Sequence, residues 1–287
     1  MSYIVFAWLA SVVYALGSIV GKIAIRHQIA NRWLYNFMWA LLSTVLIVPF
    51  AVANHVGLPQ DWGSMLWLGA ANAVSGVAFI LAFYEVDLTI LSPLYNLRTP
   101  FIVLVGALFY REVLTSFQWV LMTILIIAGI FINTDEELSL KVLWHKGTLL
   151  AVVAVLTSVW FNSTIKMTSM HNGFWEVLLW SNLIATILFL PTLPLFYKDL
   201  KKVKLNKYYG LVISTILFAA GYFWEVKAFA QNVSISVAII TLPISMLIVI
   251  PLSVFKPKLL EKHTAKIYAI RLTAAAVMFA AALGLSR

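Results

Sequence analysis

Apolar residues run along this chain in ten long stretches, separated by short segments rich in charged residues, proline or polar residues. About twenty mostly apolar residues suffice for a helix to cross the hydrocarbon of a bilayer. Lipid leaves no water to satisfy backbone groups, and the stretches are too long and too uniformly apolar for barrel strands, so we expect each to be helical. The predicted spans are 3–25, 33–53, 63–84, 89–110, 116–134, 147–168, 174–197, 208–230, 234–255 and 265–285. The predicted fold class is an all-α polytopic membrane protein with ten transmembrane helices.

Composition agrees with this pattern and excludes several classes of function. Of 287 residues, 62% are hydrophobic and only 11% are charged, a balance that no soluble domain of this length shows. The net charge is +9, and the basic residues lie mostly in short loops between the apolar stretches. Membrane topology and contact with anionic lipid explain basic residues at such positions, so no nucleic-acid partner is expected. The chain has no cysteine, which excludes a disulfide framework and a thiolate nucleophile.

The two halves of the chain resemble each other at a nearly constant offset of 141 to 145 residues. This predicts two five-helix repeats, residues 1–140 and 141–287. Five is an odd number, so the second copy enters the bilayer upside down, which is the inverted architecture used for alternating access. The matched positions are Lys22 with Lys166, Trp39 with Trp180, Gly76 with Gly221, and Pro100 with Pro243.

An arginine, Arg98, lies within the fourth predicted span. Placing arginine at the centre of a membrane helix costs roughly 2.5 to 3.5 kcal/mol on insertion scales, so something inside the protein must face it. Its guanidinium can bind a carboxylate or phosphate in a bidentate manner. Alternatively, Arg98 is structural and pairs with a buried acid or with carbonyls freed near Pro100. Tyr95 lies three residues earlier and shares its helix face.

The sequence around the fourth and fifth spans resembles the EamA-like family of the drug/metabolite transporter superfamily. The matching features are a proline in the fourth span, an acidic residue followed by Leu-Thr at its end, and an apolar helix with a late glycine. The second half resembles it too, although it departs from the pattern at the insert FKPKLLEK. The resemblance implies two inverted five-helix repeats around a cavity lined mainly by the first, third, fourth, sixth, eighth and ninth spans. The matching residues are Glu112, Leu114, Thr115 and Gly129, then Glu261, Thr264 and Gly284.

Other mid-span polar and aromatic residues are candidates for the same site. Asn72, Asn162 and Thr241 belong to spans that line the cavity in the family, although such residues commonly form interhelical hydrogen bonds. Trp160 and Tyr222 lie near helix centres and could wall an apolar or cation-holding pocket, or simply pack. Glu225 could neutralise Arg98, bind a substrate amine, carry a proton, or be a solvated acid at a helix end.

Catalytic and metal sites are not indicated. The five histidines lie in loops, widely spaced and without a neighbouring nucleophile, and no glycine-rich phosphate loop is present. We therefore expect no enzyme activity, no metal and no cofactor.

Loop charges predict the orientation in the membrane. Fourteen lysines and arginines fall in or beside the loops after the first, fifth, seventh and ninth spans, against four on the opposite side. The positive-inside rule then puts both termini outside the cytoplasm, whereas many members of the resembled superfamily are expected to have them inside.

The function that fits these features is secondary transport across the plasma membrane, with a small-molecule substrate and the lipid bilayer as partners. We expect an exporter of an amino acid or a related anionic or zwitterionic solute, working as a monomer or homodimer. Coupling to protons is left open. The alternatives are a transporter of nucleotide sugars or lipophilic drugs with the same fold, and a non-transporting membrane receptor or scaffold.

Overall fold

The computed structural model describes residues 2–86, 91, 95, 98–132, 146–201, 208–245, 247–249 and 265–285. Within this part of the chain the regular structure is helical, and no strand occurs. A 3-10 helix, Leu190–Leu195, and a single turn, Tyr197–Leu200, follow the seventh long helix. The longer helices are α1 (Tyr3–His27), α2 (Arg32–Ala53), α3 (Trp62–Glu85), α4 (Arg98–Phe109), α5 (Ser116–Ile132), α6 (Lys146–Ser169), α7 (Phe174–Phe189), α8 (Tyr209–Phe229), α9 (Val233–Ile240) and α10 (Ala265–Leu285).

Six of the described helices are long and apolar enough to cross a membrane. They are α1, α2, α3, α6, α7 with its 3-10 extension, and α8. Shorter apolar helices occur in α4, α5 and α10. This agrees with an all-helical polytopic membrane protein, while ten spans and two inverted repeats stay predictions. The repeat boundary at 140/141, the insert FKPKLLEK, Glu261 and Thr264 lie outside the described residues.

Polar caps start several of these helices. Ser2, Asn31, Asp61 and Asn232 precede α1, α2, α3 and α9, and each side-chain oxygen accepts a hydrogen bond from an amide in the first turn. Such a cap satisfies one of the amides that a helix start leaves without an intrahelical partner. The caps therefore fix where the chain re-enters a helix after each short loop.

Prolines interrupt two of the predicted spans. The seventh was expected to be helical over 174–197, but α7 ends at Phe189 and a 3-10 segment containing Pro191 and Pro194 follows. In the ninth, expected over 234–255, α9 ends at Ile240 and the helical turn breaks at Thr241–Pro243. Proline has no amide hydrogen and its ring clashes with the preceding turn, so regular helix ends near these positions although the sequence remains apolar.

Two apolar cores lie at different depths along the bundle. In α1, Ala7 and Ala10 belong to one core and Ile19 and Ala24 to the other. In α8, Leu211 belongs to the second core and Val226 to the first. The residues between these groups, in the middle of α1 and of α8, line a cavity instead. The cavity therefore lies at mid-depth, with packed apolar side chains on either side.

A buried ion pair fastens the loop after α4 to α6 and α9. Lys166 donates to Glu112 Oε1 at 2.6 Å, and the two side chains are only 15% and 8% exposed. The amides of Val233 and Ser234, at the start of α9, donate to the same carboxylate at 3.0 and 3.1 Å. Burial by itself would raise the pKa of Glu112, but its hydrogen bonds with Lys166, Ser234 and Val233 hold the pKa below its ordinary value. The carboxylate is thus kept charged and joins three elements.

Candidate functional site

The mid-depth cavity has a volume of about 190 Å³ and is lined by side chains from eight of the described helical segments. Helices α1, α3, α6 and α8, the segment leading into α4, and the break after α9 contribute, as the family resemblance implied. Helices α2 and α7 contribute as well, through residues such as Trp39 and Asn182, which the resemblance did not predict. Seven of the eight predicted site residues line this cavity: Asn72, Tyr95, Arg98, Asn162, Tyr222, Glu225 and Thr241.

Arg98 is buried, with 7% of its surface exposed, at the first residue of α4. Its guanidinium carbon lies 4.7 Å from the centre of the Tyr95 ring, so the two side chains that were predicted to lie together are in contact. Its Nε has no hydrogen-bond partner, and no ion pair to Arg98 occurs among the described residues. A guanidinium with buried, unsatisfied hydrogen-bonding capacity on a cavity wall is placed to bind an anionic group.

Glu225 is also buried, with 3% exposed, so it is not a solvated acid at a helix end. Its Oε2 accepts a hydrogen bond of 2.5 Å from Tyr14, while Oε1 is buried without a partner in the described part of the chain. Glu225 and Arg98 both line the cavity, yet the described ion pairs do not include one between them. The cavity therefore holds one cationic and one anionic side chain that are not joined to each other.

Three polar residues on other walls differ in how far their hydrogen bonds are satisfied. Asn72 donates to the Ser181 carbonyl at 3.3 Å. Thr241 donates to the Val237 carbonyl at 2.7 Å and also contacts the Thr99 hydroxyl at 2.8 Å. Asn162 is fully buried, and neither its amide oxygen nor its amide nitrogen has a partner among the described residues. Of the three, Asn162 has the most capacity left to bind a solute.

The two predicted aromatic residues lie in different places. Tyr222 lines the cavity, packs against Phe161 with ring centroids 5.8 Å apart, and shares a hydrogen bond of 3.0 Å with Ser181. Trp160 lies outside the cavity lining, and its ring packs against Trp67 at 4.9 Å. Trp160 is therefore placed for contact between α6 and α3 rather than for contact with a solute in this cavity.

Sequence reasoning missed five aromatic residues that line the cavity, of which Tyr14 and Trp39 carry polar atoms; the others are Phe79, Phe161 and Phe218. The Tyr14 hydroxyl binds Glu225, a residue 211 positions away. The indole nitrogen of Trp39 is buried without a described partner, and its ring lies 5.3 Å from that of Phe218. The only sequence signal for Tyr14 was its position, as a tyrosine with a polar hydroxyl in the middle of a predicted span. Aromatic residues are so common in membrane helices that this position alone does not identify a site residue.

This arrangement can bind a small solute. The described residues offer a guanidinium, a carboxylate, an amide and aromatic faces, all converging on one cavity. They contain no group of three or more histidine, aspartate or glutamate side chains that could hold a metal ion. A concave site with a few convergent polar groups is typical of small-molecule binding.

Comparison with known proteins identifies a family for the first half of the chain. Residues 1–134 match the model of the EamA-like transporter family, which belongs to the drug/metabolite transporter superfamily, and this confirms the resemblance. No curated protein matches the sequence. Twenty-seven solved chains are similar in structure. One of these, described only as a crystal structure of a protein, has a TM-score of 0.71 at 14% identity, covering 99% of both chains, which shows a shared fold and nothing more.

Proposed function

Because residues 1–134 match the model of the EamA-like transporter family, we propose that this protein is a secondary transporter for a small anionic or zwitterionic metabolite such as an amino acid. The observation that carries the proposal is the position of Arg98. A buried guanidinium on the wall of a mid-depth cavity, with no ion pair among the described residues, is set to receive a carboxylate. A non-transporting receptor or scaffold with a sealed helix bundle would not require a guanidinium on a cavity wall.

The size of the cavity supports a small solute. At about 190 Å³ it is smaller than the roughly 300 to 1,000 Å³ typical of pockets for drug-sized ligands. A nucleotide sugar or a bulky lipophilic drug would need a larger space. The dimensions therefore favour a metabolite of amino-acid size over those alternatives.

Contacts between the halves support an alternating-access mechanism based on two repeats. Thr44 hydrogen-bonds Thr186 at 2.9 Å and Thr99 hydrogen-bonds Thr241 at 2.8 Å, and each pair is separated by 142 residues. This separation falls within the offset that relates the halves in the sequence. Contacts between equivalent residues of two repeats are expected on the two-fold axis that relates the repeats. Helix pairing agrees, since α1 packs against α8 and α3 packs against α6. We propose that residues 1–140 and 141–287 rock about this axis.

Transport by purified protein in liposomes tests the proposal. We expect uptake of at least one amino or organic acid, and we expect Arg98→Gln to weaken the apparent affinity for it by about tenfold, because charged hydrogen bonds are lost. Arg32→Gln is the matched control, since Arg32 is a half-exposed arginine outside the cavity, paired with Glu85 at 3.0 Å. If Arg98→Gln carries the solute as well as the wild type, Arg98 is not the anchor.

The proposal includes export across the plasma membrane with both termini outside the cytoplasm, and cysteine labelling tests this orientation. The chain has no cysteine, so single cysteines are unambiguous. Gly57, between α2 and α3, is exposed, and a side chain there would meet nothing within 4 Å. Ala30, between α1 and α2, is also exposed. In intact cells an impermeant maleimide should label Gly57→Cys and reach Ala30→Cys only after permeabilisation. The reverse pattern would contradict this orientation.

A further inference from the structure

Tyr14 and Glu225 form a buried unit on the cavity wall whose role the transport proposal leaves unassigned. Tyr14 donates to Glu225 Oε2 at 2.5 Å, which leaves Oε1 as the oxygen without a described partner. A buried carboxylate oxygen without a hydrogen-bond partner is energetically unfavourable. A ligand that donates to Oε1 would remove this penalty on binding.

The position of Tyr14 is fixed by its neighbours. Its ring packs against Phe218 with centroids 5.8 Å apart, and Gly221 lies so close that a Cβ added there would be 2.5 Å from the ring. Only a residue without a side chain allows the ring to reach this place. Tyr14 therefore holds the Glu225 carboxylate in one orientation. It binds Oε2 and leaves Oε1 available for a ligand.

The cavity carries two opposite charges that are not joined by a direct ion pair among the described residues. Arg98 and Glu225 both line it, and the described ion pairs, counted up to 4.0 Å, do not include them. Asn162 adds an amide oxygen and an amide nitrogen that are both unpartnered in the described part of the chain. A solute with a single negative charge would pair with Arg98 but would bring no hydrogen-bond donor of opposite charge to Glu225 Oε1. A solute with both charges would satisfy both side chains at once.

We propose that Glu225 Oε1, held in position by Tyr14, accepts a hydrogen bond from a protonated amine, so that the site selects solutes carrying both a carboxylate and an ammonium group. This rests on the proposed transport function and narrows its substrate class from anions and zwitterions to zwitterions. In this arrangement Glu225 is a binding residue, and Tyr14 is a positioning residue that acts through it.

Ligand-dependent thermal stabilisation of the purified protein in detergent tests the assignment. The probes are the common amino acids, each compared with the carboxylic acid that lacks the amino group and with the amine that lacks the carboxyl group. At least one amino acid should stabilise the wild type, and both analogues should bind about tenfold more weakly or worse, because a site built to bind a polar group rejects the analogue without it.

The variants separate the two charged groups. Glu225→Gln should lose most of the discrimination against the analogue without an amino group, while keeping discrimination against the analogue without a carboxyl group. Arg98→Gln should do the reverse. Tyr14→Phe keeps the ring and the packing but frees Oε2, and it should reduce the preference for the amino acid less than Glu225→Gln does.

Each result has a distinct meaning. The assignment of the amine to Glu225 is wrong if Glu225→Gln still prefers the amino acid as strongly as the wild type does. It is also wrong if the wild type prefers the carboxylic acid without an amino group. Neither result contradicts the binding of a carboxylate by Arg98. If an amino acid binds but Arg98→Gln binds it equally well, the proposed role of Arg98 fails instead. If no probe binds, neither the amine site nor the proposed substrate class is correct.

Discussion

Replacing Lys166 by methionine should destabilise the protein by about 3–5 kcal/mol, because it leaves the buried Glu112 carboxylate without its counter-charge. The Lys166 amine lies 2.6 Å from Glu112 Oε1, and the glutamate side chain is 8% exposed. The amides at the start of α9 still donate to the carboxylate, but hydrogen bonds alone do not offset a buried charge. The measurement is the midpoint of thermal denaturation in detergent, which should fall by on the order of 10 °C.

A second substitution and a surface pair make this result interpretable. Adding Glu112→Gln to Lys166→Met should recover part of the stability, since the glutamine is neutral and its oxygen can still accept from the Val233 amide. Arg32 and Glu85 form the matched surface pair, with side chains 40% and 34% exposed. Removing Arg32 should change stability by about 1 kcal/mol or less. Equal effects at the two pairs would show that burial does not strengthen the Lys166 interaction.

Glu112 illustrates what the sequence could and could not predict. The glutamate was recognisable as part of the family pattern at the end of the fourth span. Its partners could not be recognised, because Lys166 is 54 residues away and Ser234 is 122 residues away. Local sequence gives a residue's chemistry and its place along a helix, whereas which side chain it meets depends on how the helices are packed.

The candidate site shows the same division. Arg98 was predictable because a charge in an apolar span is expensive and therefore conspicuous. Trp160 was proposed for the site but lies against Trp67, because a central position along α6 does not specify which face of that helix points into the cavity. Tyr14 was missed because a tyrosine in a membrane span needs no special explanation. Its importance arises only from contact with Glu225.

Helix boundaries were predicted best where charges and caps delimit the span, as at Asn31 and Asp61. They were predicted worst at Pro191 and Pro243. Hydropathy continues through these positions, so an apolar stretch was read as an uninterrupted helix. The backbone changes course there because proline cannot donate the next hydrogen bond. At Pro243 the break brings Thr241 and Ser245 to the cavity wall, so the departure from regular helix is also what shapes the site.

The substitution Gly221→Ala should destabilise the protein by up to about 3 kcal/mol, even though alanine is the better helix former. A Cβ at Gly221 would lie 2.5 Å from the Tyr14 ring, which is closer than side chains tolerate, so the ring must move. Moving it breaks the 2.5 Å hydrogen bond to Glu225 and disturbs the packing against Phe218. The thermal midpoint should fall, and the ligand preference should shift in the same direction as in Tyr14→Phe.

Gly76 provides the internal control, because it is the position in the first half that the sequence offset matches to Gly221. A Cβ there would have its nearest contact at 3.6 Å, from Phe189, which is an ordinary packing distance. Gly76→Ala should therefore leave stability unchanged or raise it by about 0.5 to 1 kcal/mol, as expected for alanine in a helix interior. The two glycines that the sequence offset matches would then respond differently to the same substitution. Of these two positions, only Gly221 admits an aromatic ring where a Cβ would lie. If both substitutions were harmless, Tyr14 could not be held in place by the close approach of α8.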